Sequence, residues 1–314
     1  MKYPNGAEFA FTILDDTDDS RYANAAPFYA LLRDLGLRTT KTVWPVTVPR
    51  DQQGPFFAGA TLDDPEYAGW VRQLVAEGFE IASHNASMGS SEREQTVRGL
   101  KVTEGVTGFR PRLHCNHAQN RENIYWGSAR FQSALLGPCA RLFERFGGRR
   151  PYLGHVPGTA YFWGDIALQH FEYVRSFAFS TLATDGLGVP CVYHDNATKW
   201  VKRWFITADA PDADAFRALV TRQSIDALRK RAGHVIVSTH IGKGFVDSKG
   251  RVDPAIANSL QYLASHNGWF VPTSTLLDWI VQQQGAPTLT ALQRLRLEST
   301  HVIDRIRSRL FSKS

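Results

Sequence analysis

The chain has 314 residues, 43% hydrophobic and 21% charged, with 8 Trp, 10 Tyr and 19 Phe. This composition excludes a disordered or fibrous chain, and no apolar run approaches the ~18 residues that a membrane-crossing helix needs. The net charge is +6, but six basic residues against two acidic ones from Leu292 onward put +4 of it in the tail, so the body is near neutral and is not a nucleic-acid-binding surface.

The opening Met1-Lys2-Tyr3-Pro4-Asn5-Gly6 does not read as a secretory signal. Cys115, Cys139 and Cys191 are few and far apart, as expected of reduced thiols in a cytoplasm. The first predicted strand, Glu8 to Leu14, is apolar on both faces, as in a covered parallel sheet, and runs into Asp15-Asp16-Thr17-Asp18-Asp19-Ser20. A helix over Ala25–Leu35 closes at Gly36, and a second strand covers Thr39–Val48. A helix over Asp64–Glu77 stops at Gly78, and a short strand, Phe79–Ser83, ends at His84. Ser91–Val102 reads as a helix and Phe109–His114 as a strand, followed by long rim loops over Asn116–Asp165. Strands follow at Val174–Leu182 and Trp200–Thr207, then a helix over Asp212–Ala232 ended by Gly233. The strand His234–Thr239 runs into His240, and a helix over Asp253–His266, a strand at Trp269–Thr273 and a helix over Leu276–Gln283 complete the body. Strands alternating with helices define an α/β fold with parallel strands.

Three of these strands end in groups that titrate or bind metals near neutral pH: Asp15-Asp16, His84 and His240. In parallel α/β folds, chemistry collects at the C-terminal ends of strands. One aspartate or histidine there is an ordinary turn former or hydrogen-bonded residue, whereas three on one rim point to a site.

Local sequence sharpens this. Val71 to His84, with its helix, Gly78, Glu80-Ile81 and Ser83-His84, resembles the second block of the polysaccharide deacetylases (carbohydrate esterase family 4, the NodB-homology domain). Phe11-Thr12-Ile13-Leu14-Asp15-Asp16 is similar to the first block, Gly108-Phe109-Arg110-Pro111 to the third, Gly233 to His240 to the fifth, and Trp269 to Leu277 to the closing strand and helix. The blocks keep the family's order. The resemblance implies an α/β fold that is a distorted (β/α) barrel of about seven parallel strands over residues 1–285. It implies a divalent-metal hydrolase removing N- or O-acetyl groups from a sugar or glycan in surface-polysaccharide (O-antigen or capsule) synthesis. It makes Asp15 the general base, Asp16 and His84 metal ligands, His240 the general acid, and Arg110 the group that holds the base. Zinc is the expected ion, with cobalt, nickel or manganese as alternatives.

The sequence also departs from the family. The metal histidine expected four residues after His84 is Met88, a soft thioether, and Thr17 replaces a glycine after the aspartates. Either a replacement ligand comes from the neighbouring rim, His114-Cys115-Asn116-His117, with His117 (followed by Asn120) first and His114 and Asp19 next, or the metal site is lost and the barrel is a catalytically silent carbohydrate-binding protein or works without metal. A glycoside hydrolase ranks last, because no second strand-end carboxylate accompanies Asp15. Tyr125, Trp126, Tyr161, Phe162 and Trp163 either stack on sugar or pack the rim loops, and Asp165 and His155 are supporting candidates. Residues 286–314 form a basic amphipathic helix with Leu292, Leu295, Val302, Ile306 and Leu310 on one face. It either docks on the barrel or lies on an anionic inner-membrane face, where the substrate would be a lipid- or nucleotide-linked sugar.

Overall fold

The computed structural model describes residues 2–48, 58–147 and 150–311. Its strands are β1 (Phe9–Asp15), β2 (Thr40–Val43), β3 (Glu80–Ser83), β4 (Leu113–His114), β5 (Tyr173–Phe179), β6 (Val192–Tyr193), β7 (Trp204–Ala210), β8 (His234–Thr239) and β9 (Gly268–Trp269). Seven of them, in the order β1-β2-β3-β4-β5-β7-β8, close into a parallel barrel. β8 lies along six residues of β1, from Ala10 opposite His234 to Asp15 opposite Thr239. β2 meets β1 only at its C-terminal end, Leu14 opposite Thr40, and β9 pairs with its other end, Phe9 opposite Gly268. This split edge distorts the barrel. β6 adds an antiparallel pair to β7.

Strand alternation sorts β1 between two cores. Phe9, Phe11 and Ile13 pack outward, in a cluster with Phe28, Tyr29 and Leu32 of α1 (Tyr22–Asp34). Ala10 and Leu14 face the other way, in a cluster with Ala82, Ile206 and Ile236. Fully burying each large side chain is worth about 1.5–3 kcal/mol. Asp15 therefore shares the outward parity of Ile13, and Asp16 the inward parity of Leu14.

Several boundaries differ from expectation. β2 stops at Val43 because Trp44-Pro45 follows, and proline has no N–H for a ladder. The helix expected over Asp212–Ala232 is two, α6 (Ala213–Leu219) and α7 (Arg222–Lys230). Val220 leaves helical geometry and the Thr221 side chain caps Ser224 N, a break that an unbroken apolar period does not reveal. The segment read as rim loops contains α4 (Leu136–Phe146) and the start of α5 (Gly164–His170).

The last helix, α10 (Ala291–Phe311), lies against the barrel. The Glu298 carboxylate is buried and accepts from Gln132 N at 2.6 Å and Ser133 N at 3.0 Å. Arg294 holds Asp195 at 2.6 Å, and Arg305 holds Asp209, near the C-terminal end of β7, at 2.7 Å. These partners turn one face of the helix onto the rim and leave Leu292, Ile303 and Ile306 exposed. No helix among the described residues is long and apolar enough to cross a membrane.

Candidate active site

A cavity of about 240 Å³ opens at the C-terminal ends of the strands, with Asp16, Asp18, His84, His117, Arg175 and His240 in its wall. Met88 is not among its lining residues. The expected residues divide into those that reach this cavity and those that do not.

Asp15 does not reach it, which corrects its expected role as general base. Its outward parity buries it completely, with Lys41 Nζ at 2.8 Å, the Tyr29 hydroxyl at 3.0 Å and Ile241 N at 2.9 Å as donors. A carboxylate occupied on both oxygens and sealed from the cavity cannot take a proton from a substrate water. Arg110 is also corrected. It precedes Leu113 at the start of β4, the wrong end of the barrel, where it is exposed and donates to His170 Nδ1 at 3.0 Å.

Asp16 and Arg175 do reach the cavity. Arg175, on β5, sets Nη1 2.6 Å from Asp16 Oδ2, while Asp16 Oδ1 is buried with no hydrogen-bond partner. Burial acts to raise the Asp16 pKa, but Arg175, aided by His84 and His240, holds it below the usual carboxylate range. Asp16 was expected to ligate a metal; here its nearest imidazole atom, His84 Nδ1, is 3.8 Å away and is spent on the Cys115 carbonyl at 3.0 Å.

Asp18 is the convergence point that the sequence reading passed over. His84 Nε2 lies 3.2 Å from its Oδ1, and His117 Nε2 and His240 Nε2 lie 3.7 and 3.6 Å from its Oδ2. The opposite ring nitrogens have acceptor partners: Cys115 O at 3.0 Å, Asn120 Oδ1 at 2.8 Å and Pro211 O at 2.7 Å. Asn120 Nδ2 donates to Ser87 O, Gly89 O and Glu122 Oε1, which fixes its oxygen toward His117. Each Nδ1 therefore donates to its oxygen partner, and each Nε2 is left facing the Asp18 carboxylate, that of His84 within hydrogen-bond distance of Oδ1. Such a meeting needs protons or a cation. Lys243 Nζ also approaches, at 3.5 Å from Asp18 Oδ2. Burial would raise the Asp18 pKa, but His84, His117 and His240 hold it far below its ordinary value; burial keeps His117 below its own.

As they stand, no group of three or more His, Cys, Asp or Glu side chains among the described residues is set to hold a metal ion. The donor types that face one another, a carboxylate and two imidazole Nε2 atoms, are those of a catalytic zinc site. Their Nδ1–H groups are held by oxygen acceptors, the outer support usual for metal-binding histidines.

The loops carrying these groups are braced. Asp19 and Asn85, directly after Asp18 and His84, adopt φ of 57° and 63°, a left-handed turn that aspartate and asparagine tolerate. A Cβ on Gly242 would lie 2.5 Å from the backbone of Asp19 and Ser20, so glycine lets the loop after His240 press on the Asp18 loop. Glu122 is buried and accepts from Asn85 Nδ2 at 3.0 Å, Ser91 N at 3.0 Å and Asn120 Nδ2 at 2.7 Å. Burial pushes its carboxyl up to about 7.

The remaining candidates sit elsewhere. His114 is buried between Ser83 and Asn116. Asp19 points to Lys243, 3.9 Å away. Trp163 is buried and Tyr125 packs on His155, ring centroids 4.4 Å apart. Asp165 pairs with Arg93 away from the cavity, which Trp126 does line.

No family model and no curated protein matches this chain. Solved structures do. Allantoinase PuuE is similar at 13% identity over 90% of this chain and 93% of its own, with a TM-score of 0.50. A probable polysaccharide deacetylase of Pseudomonas aeruginosa PAO1 is similar at 14% identity over 90% of this chain and 94% of its own, also at 0.50. The closed barrel of seven parallel strands is thus a fold shared with both of these proteins.

Proposed function

We propose that the chain is a metal-dependent deacetylase acting on a sugar or glycan intermediate. One observation carries this: three imidazole Nε2 atoms face the Asp18 carboxylate in a cavity whose wall also holds Asp16, braced by Arg175. Asp18, His84 and His117 would hold a divalent ion, zinc by donor type with cobalt, nickel or manganese as alternatives, which would supply Lewis-acid chemistry at the acyl carbonyl.

The chain's own groups do the rest. Asp16 Oδ1, without a partner, accepts the proton of an attacking water, and Arg175 keeps the carboxylate ionised for that task. His240, fixed through Nδ1 by Pro211 O, presents Nε2 to the cavity; as the imidazolium it gives its Nε2 proton to the departing nitrogen or oxygen, and the proton that Asp16 takes from water restores it. The setting in O-antigen or capsule synthesis, a cytoplasmic place and a lipid- or nucleotide-linked substrate are part of the proposal and rest on the family resemblance. Acetate release from a panel of N- and O-acetylated sugars, with zinc or cobalt supplied, tests it. Release lost about 10²–10⁴-fold in Asp16→Asn and His240→Ala is expected; no release from any member contradicts it.

A second reading is a catalytically silent carbohydrate-binding barrel. It is favoured by Met88 and by the absence of a closed metal-holding set among the described residues. Metal-independent sugar binding without acetate release would select it.

A further inference from the structure

Beyond Asp18, the cavity is walled by two arginines and a histidine from other elements. Arg130, at the end of the turn Gly127–Arg130, and His301 and Arg305 of α10 line the same 240 Å³ space as Asp18 and His240. Arg305 is neutralised by Asp209 at 2.7 Å, and Arg175 by Asp16. Arg130 is different. Its guanidinium lies 4.0 Å from the centroid of the Trp126 ring and 5.4 Å from that of Phe177. Nη1 reaches only the Ser176 carbonyl, at 3.3 Å, Nε is buried with no hydrogen-bond partner, and no ion pair to Arg130 is formed among the described residues. Burial, with Arg175 and Arg305 nearby, lowers its pKa to about 10, so it remains charged at neutral pH.

A half-buried guanidinium without a counter-charge is costly. The aromatic stack fixes the plane of its fork, and a planar fork with free N–H groups is shaped for carboxylate or phosphate oxygens. The cost is offset when an anion arrives with the ligand. Resting on the hydrolase reading above, we propose that Arg130, with Arg305 behind it, forms an anion subsite, and that the substrate carries a carboxylate or phosphate group besides its acyl group. α10 then completes the substrate cavity as well as docking on the rim.

Calorimetric titration with inorganic phosphate and, separately, with glucuronate, at constant ionic strength against a chloride control, tests this. Saturable one-site binding of either anion is expected, weakened at least tenfold in Arg130→Gln, weakened less in Arg130→Lys, and weakened in Arg305→Gln. Phosphate alone indicates a phosphorylated substrate, and glucuronate alone a carboxylated one. The Asp18→Asn chain, titrated in parallel, separates the subsite from any anion held through a metal, and binding is expected to persist in it. Thermal melts of each variant establish that it is folded, and Arg305→Gln remains informative if Arg130→Gln is not. No binding beyond the chloride control, binding unchanged in folded Arg130→Gln, or binding lost in folded Asp18→Asn overturns the proposal. Acetate release from neutral acetylated sugars without anion binding sinks the subsite alone. Anion binding without hydrolysis of any acetylated sugar sinks the hydrolase reading alone.

Discussion

Lys41 Nζ stands 2.8 Å from Asp15 Oδ2, and both side chains are fully buried. Lys41 also gives a hydrogen bond to Ser20 at 2.9 Å and lies 5.5 Å from the Trp70 ring centroid. Burial would lower the Lys41 pKa, but Asp15 holds it above its ordinary value. The pair locks the end of β1 to β2 beneath the rim. Removing one partner of a buried pair leaves the other charge uncompensated, at a cost of about 3–5 kcal/mol. Lys41→Met is expected to destabilise the chain by about that amount in denaturant unfolding. A change below about 1 kcal/mol would show that the pair does not hold the rim.

Neighbouring aspartates should behave differently in a rate assay. Asp16→Asn removes the carboxylate that faces the cavity and should lower acetate release about 10²–10⁴-fold. Asp15→Asn should act chiefly through stability, with the rate of the folded fraction largely kept. Comparing rates per folded molecule checks this. Equal losses in the two variants would return the base to Asp15.

Acid should weaken the fold before it titrates Asp16 and Asp18; Glu122, whose carboxyl is raised to about 7, opposes one histidine over the same range, and the histidines outnumber it. Burial pushes the His114 pKa down from 6.5 to about 3, and that of His170 down to about 4. In the unfolded chain each takes up a proton near pH 6.5. Between these values the unfolded state holds more protons, so stability falls as pH falls, by about 1.4 kcal/mol per pH unit for each histidine. Asp16 and Asp18, whose pKa values are lowered, lose their contribution only below about pH 4. Tm should be level above pH 7 and decline from about 6.5 toward 4, less steeply in His114→Gln. A Tm that rises between pH 7 and 5 contradicts the assignment.

The barrel was legible because apolar strands ending in polar groups recur with helices between them, and His84, His117 and His240 were legible as strand-end or following-loop residues. Asp15 and Asp16 face opposite ways, Asp15 away from the cavity and Asp16 into its wall. The alternation of Ile13, Leu14, Asp15 and Asp16 contains the correction, since a residue with the parity of Ile13 must face the helices. Asp18 was visible in the acidic run, but only the left-handed turn at Asp19 aims it back over the mouth. Arg175 sits inside a strand whose sequence, Tyr173-Val174-Arg175-Ser176-Phe177, gives no sign of its partner 159 positions earlier. Glu122, Arg130 and Arg305 become site residues only through loop and helix packing, which no periodicity encodes.

The most direct test is metal content. Protein purified without chelator, or reconstituted with cobalt, should hold about one equivalent of zinc or cobalt, with a cobalt absorption spectrum typical of four-coordinate nitrogen and oxygen ligands. Asp18→Asn and His117→Ala should lose the ion, and Asp15→Asn should keep it. A chain that binds no divalent ion under either condition, or whose Asp18→Asn variant binds it as well as the parent does, contradicts the metal-dependent account.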